Sequence, residues 1–165
     1  MGAEMAVQPV QQKDSRFLVV VDDTPECRNA WQFAARRANH VGGSVVLANI
    51  IDPPDFQHWM SVEEVMREEA REEALEVLRA VAVQIEDDIG PRPELLVREG
   101  EASEQILKIL EEDPTIQYFV LAAGSENEGP GPLVNTFSGR LITAMPIPVV
   151  IVPGHLTLDQ IDQIA

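Results

Sequence analysis

The chain has 165 residues, of which 45% are apolar, and a formal net charge of −16 from 28 Asp and Glu against 12 Lys and Arg. That length fits one domain with a full core, and that apolar share excludes wholesale disorder. The acidity excludes a general nucleic-acid binder and opposes adsorption on anionic lipid, since both surfaces carry dense negative charge.

Residues 1–14 lack an apolar stretch of signal-peptide length and read as a flexible arm. Gly2 follows Met1, but Ala6 stands where a myristoylation pattern needs Ser or Thr. Arg16 to Val21 is short, β-branched and continuously apolar after its charged start, as a parallel strand covered on both faces should be. It stops at Asp22-Asp23. Thr24, Pro25 and Glu26 then supply an N-cap, a proline for the first helical position and an early acid. The helix that follows turns Ala30, Trp31, Ala34 and Ala38 inward and ends at Gly42-Gly43.

A second buried strand spans Ser44 to Ile51 and is stopped by Pro53-Pro54. Residues 53–61 read as an irregular loop holding Phe56, His58 and Trp59, either a partner surface or a lid over the sheet end. From Val62 to Ile89 the pattern is helical, with Val62, Met66, Ala70, Ala74, Val77, Val81, Ile85 and Ile89 expected to face inward. The many acids of that stretch read as a solvated outer face.

Glu94 to Val97 is a weaker strand. Gly100-Glu101-Ala102-Ser103 turns into a helix carrying Ile106, Ile109 and Leu110, which Asp113-Pro114 ends. Ile116 to Ala123 is a fourth strand, leading to Gly124 and a loop rich in glycine and proline. Leu133 to Ala144 is expected to be helical. Ile147 to Val152 is a fifth strand, entered through Pro146 and Pro148. The tail after Gly154 is short and amphipathic, with Leu158, Ile161 and Ile164, and suits docking on its own body or on a second subunit.

Strands alternating with crossover helices predict an α/β domain, a parallel sheet with helices on both faces. In such sheets ligands bind beyond the carboxyl ends of strands, where the winding reverses. The candidate strand ends are Asp22-Asp23-Thr24 and Gly124 with its loop. Because the chain is so acidic, a phosphate here must be held by local donors such as backbone N–H groups, not by net charge.

VVVDDTPECRNAWQFAARRA, VREGEASEQIL, LAAGSENEG and MPIPVVIVPG, in that order over residues 16–153, resemble the universal stress protein family. The resemblance implies a doubly wound, Rossmann-like sheet of five strands in the order 3-2-1-4-5, filling residues 15–153 with a C-terminal tail over 154–165. It also implies a dimer through the last strand, Pro148 to Val152, and, in members that bind ATP, a nucleotide cleft. Those members carry a glycine, a second glycine three positions on, and later a glycine followed by Ser or Thr. Gly124 matches the first position and Asn127 departs from the second. Counting forward puts the final pair at Phe137-Ser138, and aligning backward from Pro148 puts it at Asn135-Thr136. Neither register restores the last glycine.

The resemblance places Asp22, with Asp23 and Thr24 beside it, on the ribose or metal side of an adenine nucleotide, and Ile50 and Ile51 near the adenine. The plain alternatives are turn acids favoured by a helix start and ordinary core packing. Gly124, Ser125, Gly129 and Gly131 suit close approach to phosphate, although Pro130 and Pro132 remove donors. Asn135, Thr136 and Ser138 read equally as ligand contacts or helix caps, and Arg140 more simply as a surface arginine. Cys27, the one cysteine, cannot form an intrachain disulfide and fits a reducing, cytoplasmic setting. Its place in the first helical turn could lower its pKa, but a half-buried, ordinary thiol is the simpler reading. His40, His58 and His155 show no ligand spacing, so no metal site is assigned.

The leading expectation is a dimeric stress-response module that binds ATP or AMP, with or without Mg²⁺, and signals through conformation. The rival is an interaction module of the same fold that has lost the nucleotide. No nucleophile–base pair is recognisable, so no catalytic residue is assigned, and slow ATP hydrolysis is the most chemistry expected.

Overall fold

A computed structural model describes residues 14–53, 60–125 and 127–165. The expectations for the N-terminal arm up to residue 13 and for Phe56, His58 and Trp59 lie outside the described residues. Strands β1 (Arg16–Val20), β2 (Ser44–Ile51), β3 (Glu94–Glu99), β4 (Ile116–Ala123) and β5 (Val149–Pro153) form one parallel sheet in the order β3-β2-β1-β4-β5. They alternate with α1 (Cys27–Val41), α2 (Met60–Asp88), α3 (Ala102–Glu112) and α4 (Pro132–Ser138), and α5 (Leu158–Ile164) closes the chain.

The apolar run of β1 serves two cores at once. Phe17, Val19 and Val21 pack with α1 and with Leu78, Val81 and Ile85 of α2. Leu18 and Val20 pack with Ile106, Ile109 and Leu110 of α3 and with Val134 and Phe137 of α4. A strand covered on both faces has no polar side to show, so its sequence does not alternate. Aromatic pairs reinforce each layer: Phe17 stacks on Tyr118 with ring centres 4.9 Å apart, and Phe119 meets Phe137 edge-on at 5.0 Å.

Several boundaries differ from the sequence expectation. Helix α1 starts at Cys27 with Glu26 at the N-cap position and no side-chain cap, and Thr24 belongs instead to the preceding turn, where its N–H and hydroxyl both donate to Asp22. The expected helix over Leu133–Ala144 breaks after Ser138. There the Ser138 hydroxyl donates back to the Val134 carbonyl at 2.6 Å, and Gly139 leaves helical geometry, so only a 3-10 turn resumes at Ile142–Ala144. Strand β5 begins at Val149, after Pro148.

Helix α2 is the largest departure. At 29 residues it is about 43 Å long, whereas the eight residues of β2 span about 26 Å. Its buried residues (Ala74, Leu78, Val81, Ala82, Ile85) all lie in the C-terminal half. Val62, Met66 and Val77, expected inside, are 52%, 40% and 40% exposed. The N-terminal half overhangs the sheet, held there by Arg67, which pairs with Glu63 at 3.2 Å and with Glu99 at the end of β3 at 3.0 Å.

The C-terminal tail docks on its own body. The α5 N-terminus is closed by a capping box between Thr157 and Gln160. Ile161 is fully buried, Arg36 of α1 pairs with Asp162 at 3.0 Å, and Arg37 donates to the Ala165 carbonyl at 3.3 Å. The turn joining β5 to α5 is braced by Asn29 of α1, whose Nδ2 lies 3.1 Å from the carbonyls of Pro153, Gly154 and Leu156.

At the opposite, amino end of the sheet, Arg16 donates to Asp113 at 2.8 Å and to the Thr115 hydroxyl at 2.7 Å, and it pairs with Glu94.

Candidate functional site

Strand β1 feeds α1 and then β2 on one side, while β4 feeds α4 and then β5 on the other. Their carboxyl ends diverge, so a crevice opens between them. Beyond β1, Val21 donates to the Ala48 carbonyl at 2.8 Å, and Asn49 donates to the Val21 carbonyl at 3.1 Å. Those two bonds hold the chain extended up to Asp22. Asp22 then gathers the N–H and hydroxyl of Thr24 in a tight turn.

Beyond β4, the loop folds on itself. Gly124 donates to the Pro130 carbonyl at 3.2 Å, and the Ser125 carbonyl accepts from Glu128 and Gly129. Gly129 (φ 76°) and Gly131 (φ 97°) adopt left-handed backbone that side chains disfavour. Gly124 is required by contact: a Cβ there would stand 2.3 Å from the Gly129 carbonyl oxygen.

Between the two strand ends lies a cavity of about 70 Å³. Its polar wall is Asp22, Thr24 and Glu26, its floor is Cys27 with Val20 and Ala30, and its roof is Pro130, Gly131 and Pro132. Of the residues expected at the site, Asp22, Thr24 and Gly131 therefore share one cavity. Gly124 and Gly129 shape the roof from behind without lining it. Asp23 and Ser125 are exposed beside it. Ile50 and Ile51 end β2, half-buried and outside the cavity wall. Asn135 and Thr136 sit within α4, where their carbonyls accept from Gly139 and Leu141.

Glu26 and Asn49 escaped the sequence reading. Glu26 immediately precedes the helix, so its side chain returns toward the strand ends. It is wedged there: its Oε1 would lie 3.4 Å from a Cβ on Gly124, and its Cβ 3.2 Å from one on Gly154. The signal for Glu26 was the helix start itself; nothing local marks Asn49.

The charge at the cavity is one-sided. Among the described residues neither Asp22 nor Glu26 joins an ion pair. Cys27 records this field. Burial, reinforced by the charges of Asp22, Glu26 and Asp23 and opposed by a backbone hydrogen bond, pushes its thiol up to about 11. The thiol is thus protonated at neutral pH, the reverse of what a helix start alone would produce. Among the described residues no group of three or more His, Cys, Asp and Glu is arranged to hold a metal ion, and no helix is long and apolar enough to cross a membrane.

Residues 15–153 match the profile of the universal stress protein family. The fold is similar to that of the universal stress protein UspA from Lactobacillus plantarum, with TM-score 0.69 and 18% identity over 86% of this chain and 99% of that one. It is also similar to a universal stress protein solved in complex with cAMP (TM-score 0.61, 12% identity, 87% and 99% covered). A family protein from Arabidopsis thaliana solved with AMP bound gives TM-score 0.56 at 14% identity, with 84% and 91% covered. No curated protein sequence matches significantly.

Proposed function

The chain belongs to the universal stress protein family, and from that premise we propose that it binds an adenine nucleotide, ATP or AMP, where β1 and β4 end. The observation that carries this reading is the joint cavity of Asp22, Thr24 and the Gly131 turn at the point where the sheet's winding reverses. Structural relatives solved with cAMP and with AMP support the ligand class.

The cavity's 70 Å³ is well below the roughly 300 Å³ at which small-molecule sites begin. Nucleotide entry therefore requires the loop over residues 124–132 to swing outward. Ligand binding selects the open loop, and the surface around it changes with it. Stress signalling then works by population shift, with no bond made or broken. Asp22 and Glu26 repel a bare phosphate tail, so the nucleotide enters as its Mg²⁺ complex, whose cation those carboxylates attract. Strand β5, at the sheet edge with Ile151 exposed, supports pairing of two copies through Pro148–Val152.

The rival reading, an interaction module without nucleotide, draws on the same small volume and on Asn127 in place of a glycine. Calorimetry with ATP and Mg²⁺, together with analysis of the supernatant after denaturing protein purified without added nucleotide, separates the two. Released adenine nucleotide, or saturable heat that Asp22→Asn weakens, is expected. No nucleotide and no heat at millimolar ATP would leave the interaction module standing. Phosphate release that persists in Asp22→Ala would count against hydrolysis at this site.

A further inference from the structure

The outward face of α2 has a composition that its own fold does not use. At about 100° per residue, Val62, Val65, Met66, Val77 and Val83 fall within about 60° of one line along the helix. All five are exposed, from 40% to 56%. The core-facing residues Ala74, Leu78, Val81 and Ile85 lie on the far side. Between the two apolar ends, on the same line, stand Glu69, Glu73 and Glu76, all exposed. The arginines of this helix lie off the line: Arg67 faces Glu63 and Glu99, and Arg79 faces Glu72. The stripe therefore reads apolar, acidic, apolar over about 32 Å.

A second copy does not fit this stripe. In a parallel or an antiparallel pairing Glu69, Glu73 and Glu76 meet their own counterparts, in a chain already at −16. The complement is a segment with the opposite middle. We propose that the outward face of α2 docks a partner helix that is apolar at both ends and carries Lys or Arg at its centre. The apolar ends supply burial and the central charges set register and exclude other partners.

The probe is a synthetic helical peptide with leucines placed to meet the two apolar ends and lysines placed to meet the three glutamates. Its control contains the same residues permuted, so charge and composition are unchanged. Against the full chain at physiological salt, fluorescence anisotropy is expected to show the patterned peptide binding about tenfold more tightly than the control. V62S/V65S/M66S is expected to weaken that binding about tenfold. E69Q/E73Q/E76Q is expected to weaken it and to flatten its salt dependence. All six positions are exposed, so circular dichroism of both variants should match the parent. Equal binding of the two peptides, or unchanged binding by either variant, overturns the proposal. So does a dimer in sedimentation that V62S/V65S/M66S abolishes, since the occupant would then be a second copy. Hydrogen exchange at residues 62–66 that rises on deleting residues 1–13 overturns it too, since the chain would then cover this face itself.

Discussion

At the amino ends of the strands Arg16 is matched by Asp113, Glu94 and Thr115; at the carboxyl ends Asp22 and Glu26 line a cavity, and among the described residues neither joins an ion pair. Both ends are polar and both are reached by the same strands, β1 and β4. The amino end is closed electrostatically, and its charges fasten neighbouring elements. The carboxyl end leaves like charges together over a buried thiol, an arrangement that a fold optimised only for stability would not keep. Paired charge at one end and unpaired charge at the other set apart the end that fastens the fold from the end where the nucleotide is proposed to bind.

The sharpest way to break this contrast is Gly124→Val. The added side chain meets the Gly129 carbonyl, so the roof must shift, with about 1–3 kcal/mol lost in urea denaturation and nucleotide heat abolished. Retained binding would detach the glycine loop from the site. Next, Cys27 ties the carboxyl end to alkaline pH. Its pKa is raised from 9.0 to about 11, so the folded state holds a proton that the unfolded chain releases. That contribution is intact below pH 9.0 and is lost as pH rises toward 11. Denaturation from about pH 8 to about pH 11 should show wild type losing about 2 kcal/mol more than Cys27→Ala. Equal slopes would remove the buried, raised thiol from the account.

Arg16→Leu should cost about 1–2 kcal/mol while leaving nucleotide heat unchanged, because the lost partners sit at the other end. The same end answers to acid. The Thr115 hydroxyl, with Arg16 in support, holds the Asp113 carboxyl below its usual range. Its stabilisation is present above that range and fades as pH falls through it, and Arg16→Leu should blunt the acid limb. The smallest effect on stability belongs to Asp22→Asn, about 0.5–1 kcal/mol for a weakened turn. Its signature is in binding, through weaker affinity for the Mg²⁺ complex of ATP measured by calorimetry.

Much of this contrast was legible in the sequence. Largely apolar runs without polar alternation at residues 17–21, 45–51 and 116–123 announce strands buried on both faces. That Asp22 and the glycine loop would come together was legible because the ends of adjacent strands in a doubly wound sheet meet where the winding reverses. What failed was local and competitive. Thr24 has the chemistry of an N-cap, but Asp22, two residues earlier, draws it into a turn and the helix begins only after Glu26. The apolar spacing of α2 is regular from Val62 onward, yet its steps are mostly of four residues, so the stripe drifts around the helix and leaves Val62, Met66 and Val77 on a face turned away from that of Leu78 and Ile85. Glu26 is marked locally only as an acid at a helix start, whereas its neighbourhood to Gly124 and Gly154, where an added Cβ would stand 3.4 Å and 3.2 Å from its side chain, is made by residues more than ninety positions away in the chain.

One amide draws distant parts of the molecule together. Asn29 grips the turn after β5 from within the first turns of α1, and that turn passes so near Glu26 at the cavity wall that a Cβ on Gly154 would stand 3.2 Å from the Glu26 Cβ. The outer border of the sheet and the ligand pocket thereby share a hinge pin. Were a guest that displaces Glu26 to move that border with it, thermodynamic reciprocity would make whatever clasps the border change the guest's affinity by the same factor.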